Sequence, residues 1–162
     1  MAVTEHALSR EEIIARNIAA VEAHFHNETP ENVDKAIALY DENEISWEGP
    51  SRGVALTDHQ VVRDAYIDIF KTVKINKSAV LRQFGTEQFV FHDEVVEAEV
   101  VDNLMPNLPH PVGTLMSVRV VHLFELRDGK IIKEIAYEMF RKAGSPEDHD
   151  VFPEGTAWTY YN

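Results

Sequence analysis

The chain has 162 residues, with 28 acidic and 15 basic side chains, eight histidines and no cysteine. That length suits one domain, read here as residues 1–162, with enough chain to bury a core and shape a pocket. A net charge of −13 argues against a nucleic-acid reader, which needs a basic face for phosphate, and against docking on anionic membranes.

Zero cysteine removes disulfides, thiol nucleophiles and thiolate–metal sites together. No apolar stretch approaches the ~20 residues of a membrane span. Residues 1–10 lack the apolar core of a secretory signal, so the expected location is cytoplasmic. Residues 1–50 hold 11 acids against three bases. Most of the imbalance therefore falls on the first two helices, as a solvated coat.

The elements follow in chain order. Ser9-Arg10-Glu11-Glu12 forms a capping box, and Ile13, Ile14, Ile18, Val21 and Phe25 recur at helical spacing to about Asn27. Thr29-Pro30 reads as cap and first residue of a second helix, with Val33, Ala36, Ile37 and Tyr40 as its stripe. Short strands are expected at 44–47 and 54–56, separated by Gly49-Pro50. Thr57 caps a third helix to about Lys71. The period then changes to that of strands, expected over 79–91, 95–101, 114–126 and 130–141. Residues 142–162 form a tail ending in Trp158, Tyr160 and Tyr161. Helices followed by long antiparallel strands make an α+β domain.

Asp128-Gly129 marks a hairpin. Of two registers, the preferred one, from a four-residue loop with a bulge, sets His122 opposite Glu134, Phe124 opposite Ile132, Val120 opposite Ala136 and Val118 opposite Glu138. The alternative, a two-residue turn that pairs Arg127 with Lys130 and Leu126 with Ile131, differs by one residue and would swap the faces. Both alternations of the hairpin are apolar, one with Val118, Val120 and Phe124, the other with Val121, Leu123, Ile131, Ile135 and Tyr137. Helices can cover one face; a second subunit is the economical cover for the other. A homodimer is expected.

The stretches Val33-Asp34-Lys35-Ala36-Ile37-Ala38-Leu39-Tyr40, Ile45-Ser46-Trp47-Glu48-Gly49-Pro50 and His122-Leu123-Phe124-Glu125-Leu126-Arg127-Asp128-Gly129-Lys130-Ile131 resemble the nuclear transport factor 2-like superfamily. The likeness is to its SnoaL-like polyketide cyclases and ketosteroid isomerases, over about residues 10–141. The resemblance implies three N-terminal helices packed on a strongly bent antiparallel sheet, a cone around an apolar pocket, commonly dimeric. It also puts Glu48 near the isomerases' catalytic base, offset by Gly49, and His122 near their proton-donating acid. In the epoxide hydrolase branch the last strand carries an aspartate where this chain has Ala136, which speaks against that chemistry.

The residues themselves point the same way. A carboxylate opposite His122 would fix its tautomer and raise its basicity, and Glu48 in an apolar cavity would be a base. The catalytic candidates are thus His122, Glu134 and Glu48. Trp47, Tyr40, Val118, Val120, Glu138 and Phe140 are the expected substrate-binding residues, for a small apolar ligand. A surface position for Glu48 and a plain cross-strand His122–Glu134 pair stay open. Glu97 and Glu99 alternate with apolar residues and read as a solvent-facing stripe.

His24 and His26 point away from each other on a helix, and Glu22/His26 and His24/Glu28 are i,i+4 pairs, so helix-stabilising contacts explain them and no metal is expected. No Walker, dinucleotide-binding or nucleophile-elbow motif occurs, so no cofactor is expected. Two functions fit: an acid–base enzyme on a small apolar carbonyl compound, isomerase- or cyclase-like, or a non-catalytic small-molecule binder.

Overall fold

The computed structural model describes residues 7–161. Residues 1–6, which include His6 and most of the stretch searched for a secretory signal, and residue 162 lie outside the described residues. Among the described residues no helix is long and apolar enough to cross a membrane.

Helix α1 spans Arg10–His26 and starts on the expected capping box, the Glu12 amide donating to Ser9 Oγ and the Ser9 amide to Glu12 Oε2. It buries Asn17, Val21 and His24. The second helix, α2, runs only over Val33–Ile37. Thr29-Pro30 makes a turn instead, because the Thr29 amide bonds Asn27 O and the Asn32 amide bonds Thr29 O. Strands β1 (Trp47–Gly49) and β2 (Val54–Leu56) flank a single 3-10 turn at Pro50–Arg52. Helix α3 spans His59–Thr72 and is capped by Asp58 rather than Thr57. Asp58 Oδ1 accepts from the Val61 amide at 3.0 Å.

Strand β3 (Val73–Gly85) begins where α3 ends and pairs with β4 (Phe89–Val100). The continuous strand expected over 79–91 is therefore two strands. Thr86 Oγ1 accepts from the amides of Gln88 and Phe89, and this local side-chain bond replaces the ladder. Strands β5 (Leu115–Arg127), β6 (Lys130–Lys142) and β7 (Thr159–Tyr160) complete one seven-stranded sheet in the order β2-β1-β6-β5-β4-β3-β7. Its pairs are antiparallel except β1 with β6, which run parallel.

The β5–β6 hairpin corrects the expected register. Asp128 and Gly129 have φ of 50° and 78°, a two-residue turn of the primed type that sets Arg127 opposite Lys130. A bulge after Glu125 then shifts the ladder, so Phe124 faces Glu134 and His122 faces Ala136. The pairing is two residues away from the expected one, and an even shift preserves the faces. His122 and Glu134 therefore share the inner face, as diagonal neighbours. Ile131, expected on the outer face, turns into the core opposite Leu126 through the bulge.

The inner face of β5 and β6 packs against α1 and α3, with Val21, Val62, Tyr66, Trp47 and Phe124 at its centre. The tail belongs to the fold: β7 extends the β3 edge, and Asp150 accepts from Arg119 at 2.7 Å and Arg141 at 2.6 Å.

Candidate functional site

The inner face of β6 carries Glu134, which is only 1% exposed. A lone buried carboxylate would be costly. Here Oε2 accepts from the hydroxyls of Tyr66, at 2.7 Å, and Tyr40. The last full turn of α1 delivers His24, completely buried, to the same spot. Its Nδ1 lies 3.2 Å from the carbonyl of Ala36, which can only accept. Its Nε2 lies 3.0 Å from the Tyr66 oxygen, whose own hydrogen goes to Glu134. Glu28 Oε1 is 2.9 Å and Glu134 Oε2 3.4 Å from that same nitrogen.

Each ring nitrogen thus faces acceptors, and His24 is an imidazolium. Burial opposes its charge, but bonds to Glu134 and Glu28 prevail and raise its pKa to about 10. Burial likewise works against ionised Glu134, and His24, His122 and Tyr40 overcome it, holding its pKa at about 2. Burial pushes both tyrosine hydroxyls upward, and the Glu134 charge adds to it. Glu134 is therefore a fixed anion at neutral pH and cannot serve as a base there.

Above this base lies an apolar-walled cavity of about 130 Å³. That is close to the volume in which an apolar cavity holds a benzene-sized molecule. His122 looks into it from β5, with Nε2 3.7 Å from Glu134 Oε1 and the ring packed against Phe25 and Phe124. Its Nδ1 is buried with no protein partner, and so is the indole nitrogen of Trp47, another wall residue. Glu138 also reaches the wall, where Arg52 grips it through Nε at 2.9 Å and Nη2 at 3.2 Å. Gly49 permits that grip: a Cβ there would sit 3.3 Å from Arg52 Nη2 and 3.4 Å from Glu138 Oε2.

The structure brings together His122, Glu134, Trp47, Glu138, Val118, Val120 and Phe140 of the residues expected from sequence. Two expectations are corrected. Glu48 follows buried Trp47 on a strand, so alternation turns it to the opposite face, where it pairs with Lys133 at 3.0 Å. It does not line the cavity. Tyr40 does not line it either; it stands behind Glu134 as a hydrogen-bond donor.

Sequence reasoning missed His24, Glu28, Tyr66 and Arg52. The i,i+4 spacing of His24 and Glu28 predicts a helix-stabilising contact, but α1 ends at His26 and Glu28 turns inward beyond it. The donor atoms of His24, Glu28 and Glu134 lie within 4.8 Å of one another, close enough to hold a cation. The bonds fit a proton better, since Glu134 Oε2 already accepts from two hydroxyls and His24 Nε2 points at an oxygen.

No protein-family model and no curated protein matches the chain. Solved structures do. An NTF2-like protein from Burkholderia xenovorans LB400 superposes with a TM-score of 0.65 at 13% identity, over 78% of this chain and 91% of that one. An LEH-like epoxide hydrolase from M. tuberculosis gives 0.59 at 16% identity, over 78% and 84%. A protein with a ketosteroid isomerase-like fold from Catenulispora acidiphila DSM 44928, in complex with trimethylamine, gives 0.57 at 13%, over 73% and 83%. These superpositions cover most of each chain, and the protein, with three helices and one seven-stranded sheet among the described residues, has the nuclear transport factor 2-like fold.

Proposed function

We propose that the cavity is a general acid–base site for a small carbonyl compound, with isomerase- or cyclase-like chemistry centred on His122. The observation that carries this reading is the His122–Glu134 pair at the cavity wall. Ionised Glu134 favours a proton on the Nε2 side of His122 and leaves the Nδ1 lone pair free, which is the form a base needs. Nδ1 would take a proton from the carbon beside the carbonyl and return it elsewhere. Trp47 supplies an unpartnered N–H on the same wall, suited to the carbonyl oxygen as negative charge develops there. The proton-abstracting role expected of Glu48 thus passes to His122. Tyr40, Tyr66 and His24 are positioning residues, which keep Glu134 charged and in place.

A neighbour of this fold named as an epoxide hydrolase supports an enzymatic reading, and another in complex with trimethylamine supports a small-molecule ligand. They leave the substrate open. The test is exchange of α-protons for deuterium in small cyclic ketones, followed by NMR. The wild-type protein should accelerate exchange on at least one ring-sized ketone, and His122→Gln should lose about 100-fold of that rate with an unchanged unfolding midpoint. Equal exchange by His122→Gln removes the assignment. A wild-type protein no faster than buffer across the panel favours the second reading, a ligand carrier, which the mostly apolar wall also suits.

A further inference from the structure

A second cavity, of about 220 Å³, adjoins the first and is walled by β2, α3 and the loop that joins β4 to β5. Trp47, Ile69 and Met105 line both spaces and so stand between them. The Arg52–Glu138 pair belongs to the same partition, because Arg52 faces the second cavity and Glu138 the first. Val54, Leu56 and Ala65 make the second cavity largely apolar, and the exposed Asp64 brings it to solvent. Each space by itself suits one small ring; a ligand of two linked rings needs both.

The members of the partition differ in how firmly they are held. Trp47 is buried on β1, which is paired on both sides, by β2 and β6. Ile69 is β-branched and sits on α3, where its first torsion is nearly fixed. Arg52 and Glu138 hold each other through bonds of 2.9 and 3.2 Å. Met105 is different. Its backbone is anchored, since its amide donates to Thr72 Oγ1 at 3.0 Å and the carbonyl of Arg52 accepts from Asn107 Nδ2 at 2.7 Å two residues on. Its side chain is buried but unbranched, with three rotatable bonds and no strong hydrogen-bonding group. Shortening it therefore leaves the loop's anchors in place and removes matter from the partition alone.

We propose that Met105 sets the length of the ligand: its side chain confines the site to one ring, and a smaller residue there joins the two cavities into a site for two linked rings. The inference rests on the reading of the first cavity as a small-molecule site. It adds a limit on size that holds for a substrate and for a carried ligand alike.

Cyclohexanone and 4-phenylcyclohexanone share the carbonyl ring and differ by a second ring, and NMR titration of the purified full chain with each reads binding independently of turnover. The wild-type protein should bind cyclohexanone saturably and 4-phenylcyclohexanone at least about tenfold more weakly. Met105→Ala should keep cyclohexanone and bind 4-phenylcyclohexanone at least about tenfold more tightly than the wild type does. Met105→Leu, of similar volume, should behave as the wild type. Adding Ala65→Phe to Met105→Ala refills the second cavity from α3 and should remove the gain. Circular dichroism reports folding, and Met105→Val stands in should Met105→Ala misfold. A wild type that binds 4-phenylcyclohexanone as tightly as cyclohexanone, or binds neither, overturns the proposal. So does a Met105→Ala protein with no gain, or a gain that survives Ala65→Phe, since that would reflect a general loosening. Exchange lost in His122→Gln with no gain in Met105→Ala removes the length assignment alone. A gain in Met105→Ala with exchange unchanged in His122→Gln removes the catalytic reading alone.

Discussion

At the residue scale the decisive feature is the charge arrangement beneath the cavity. His24 and Glu134 stabilise each other where neither would be tolerated alone, and the sign of that coupling is open to measurement. The His24 pKa stands at about 10 against an ordinary 6.5, so its contribution to stability is complete below 6.5 and fades as pH rises through 10. Glu134 sits at about 2 against 4.5, so its contribution is complete above 4.5 and fades as pH falls through 2. Glu28, shifted upward by burial, begins to lose its contribution as pH rises past 4.5, which tilts the maximum toward its acid end. Thermal unfolding should therefore show greatest stability between about pH 4.5 and pH 6.5, with a fall on both sides. Glu134→Gln should flatten the acid limb; an acid limb identical to wild type would mean that the pair is not coupled to folding. Tyr66→Phe deletes a donor to Glu134 and an acceptor for His24 together, and should cost about 1–3 kcal/mol in urea unfolding. None of this was visible in the sequence beyond His122 and Glu134. His24 looks like a surface histidine because Glu28 stands four residues on, and only the end of α1 at His26 turns that glutamate inward.

At the scale of elements, local signals were readable wherever a side chain acts on its own backbone. The Ser9 box starts α1 as expected, and Ser9→Ala should cost about 1 kcal/mol, since it removes the acceptor of the Glu12 amide; a loss below a few tenths would show that Glu12 alone caps the helix. Asp128-Gly129 gave the hairpin, and the parity of the strands gave its inner face. A bulge in this hairpin is expected from the sequence, but at a four-residue loop; the structure keeps the two-residue turn and puts the bulge after Glu125. That place was not readable, because nothing in Glu125-Leu126 distinguishes one extra residue from none until the rest of the sheet fixes the ladder. For the same reason Glu48 was misplaced. A three-residue strand gives too short an alternation to orient it, and its side is fixed by the distant pairing of Trp47 with Glu134 and Glu48 with Ile135. The family likeness holds for the fold, while Glu48 stands away from the place the likeness implied for it.

At the scale of the whole molecule, one face of the sheet still has to be accounted for. The observed registers align Phe84, Phe91, Leu123 and Ile135 into a single row running across β3, β4, β5 and β6. Phe84 and Phe91 stack at 4.9 Å, and Phe84 is 56% exposed. Beside that row Tyr137 and Met139 are exposed by 45% and 44%, next to the Asp93–Arg119 pair. The tail reaches Arg119 and Arg141 through Asp150 but leaves Phe84, Tyr137 and Met139 open. A contiguous apolar patch with a charge pair at its side is the kind of surface that a two-fold partner covers, because the same row meets itself in reverse. We expect a homodimer formed through this face. Light scattering after gel filtration should give twice the 18.4 kDa chain mass. Leu123→Glu, which puts a charge in the middle of the row, should give the monomer with its circular dichroism unchanged. A wild-type chain that elutes as a monomer at micromolar concentration removes the homodimer, and a Leu123→Glu protein that stays dimeric moves the interface elsewhere.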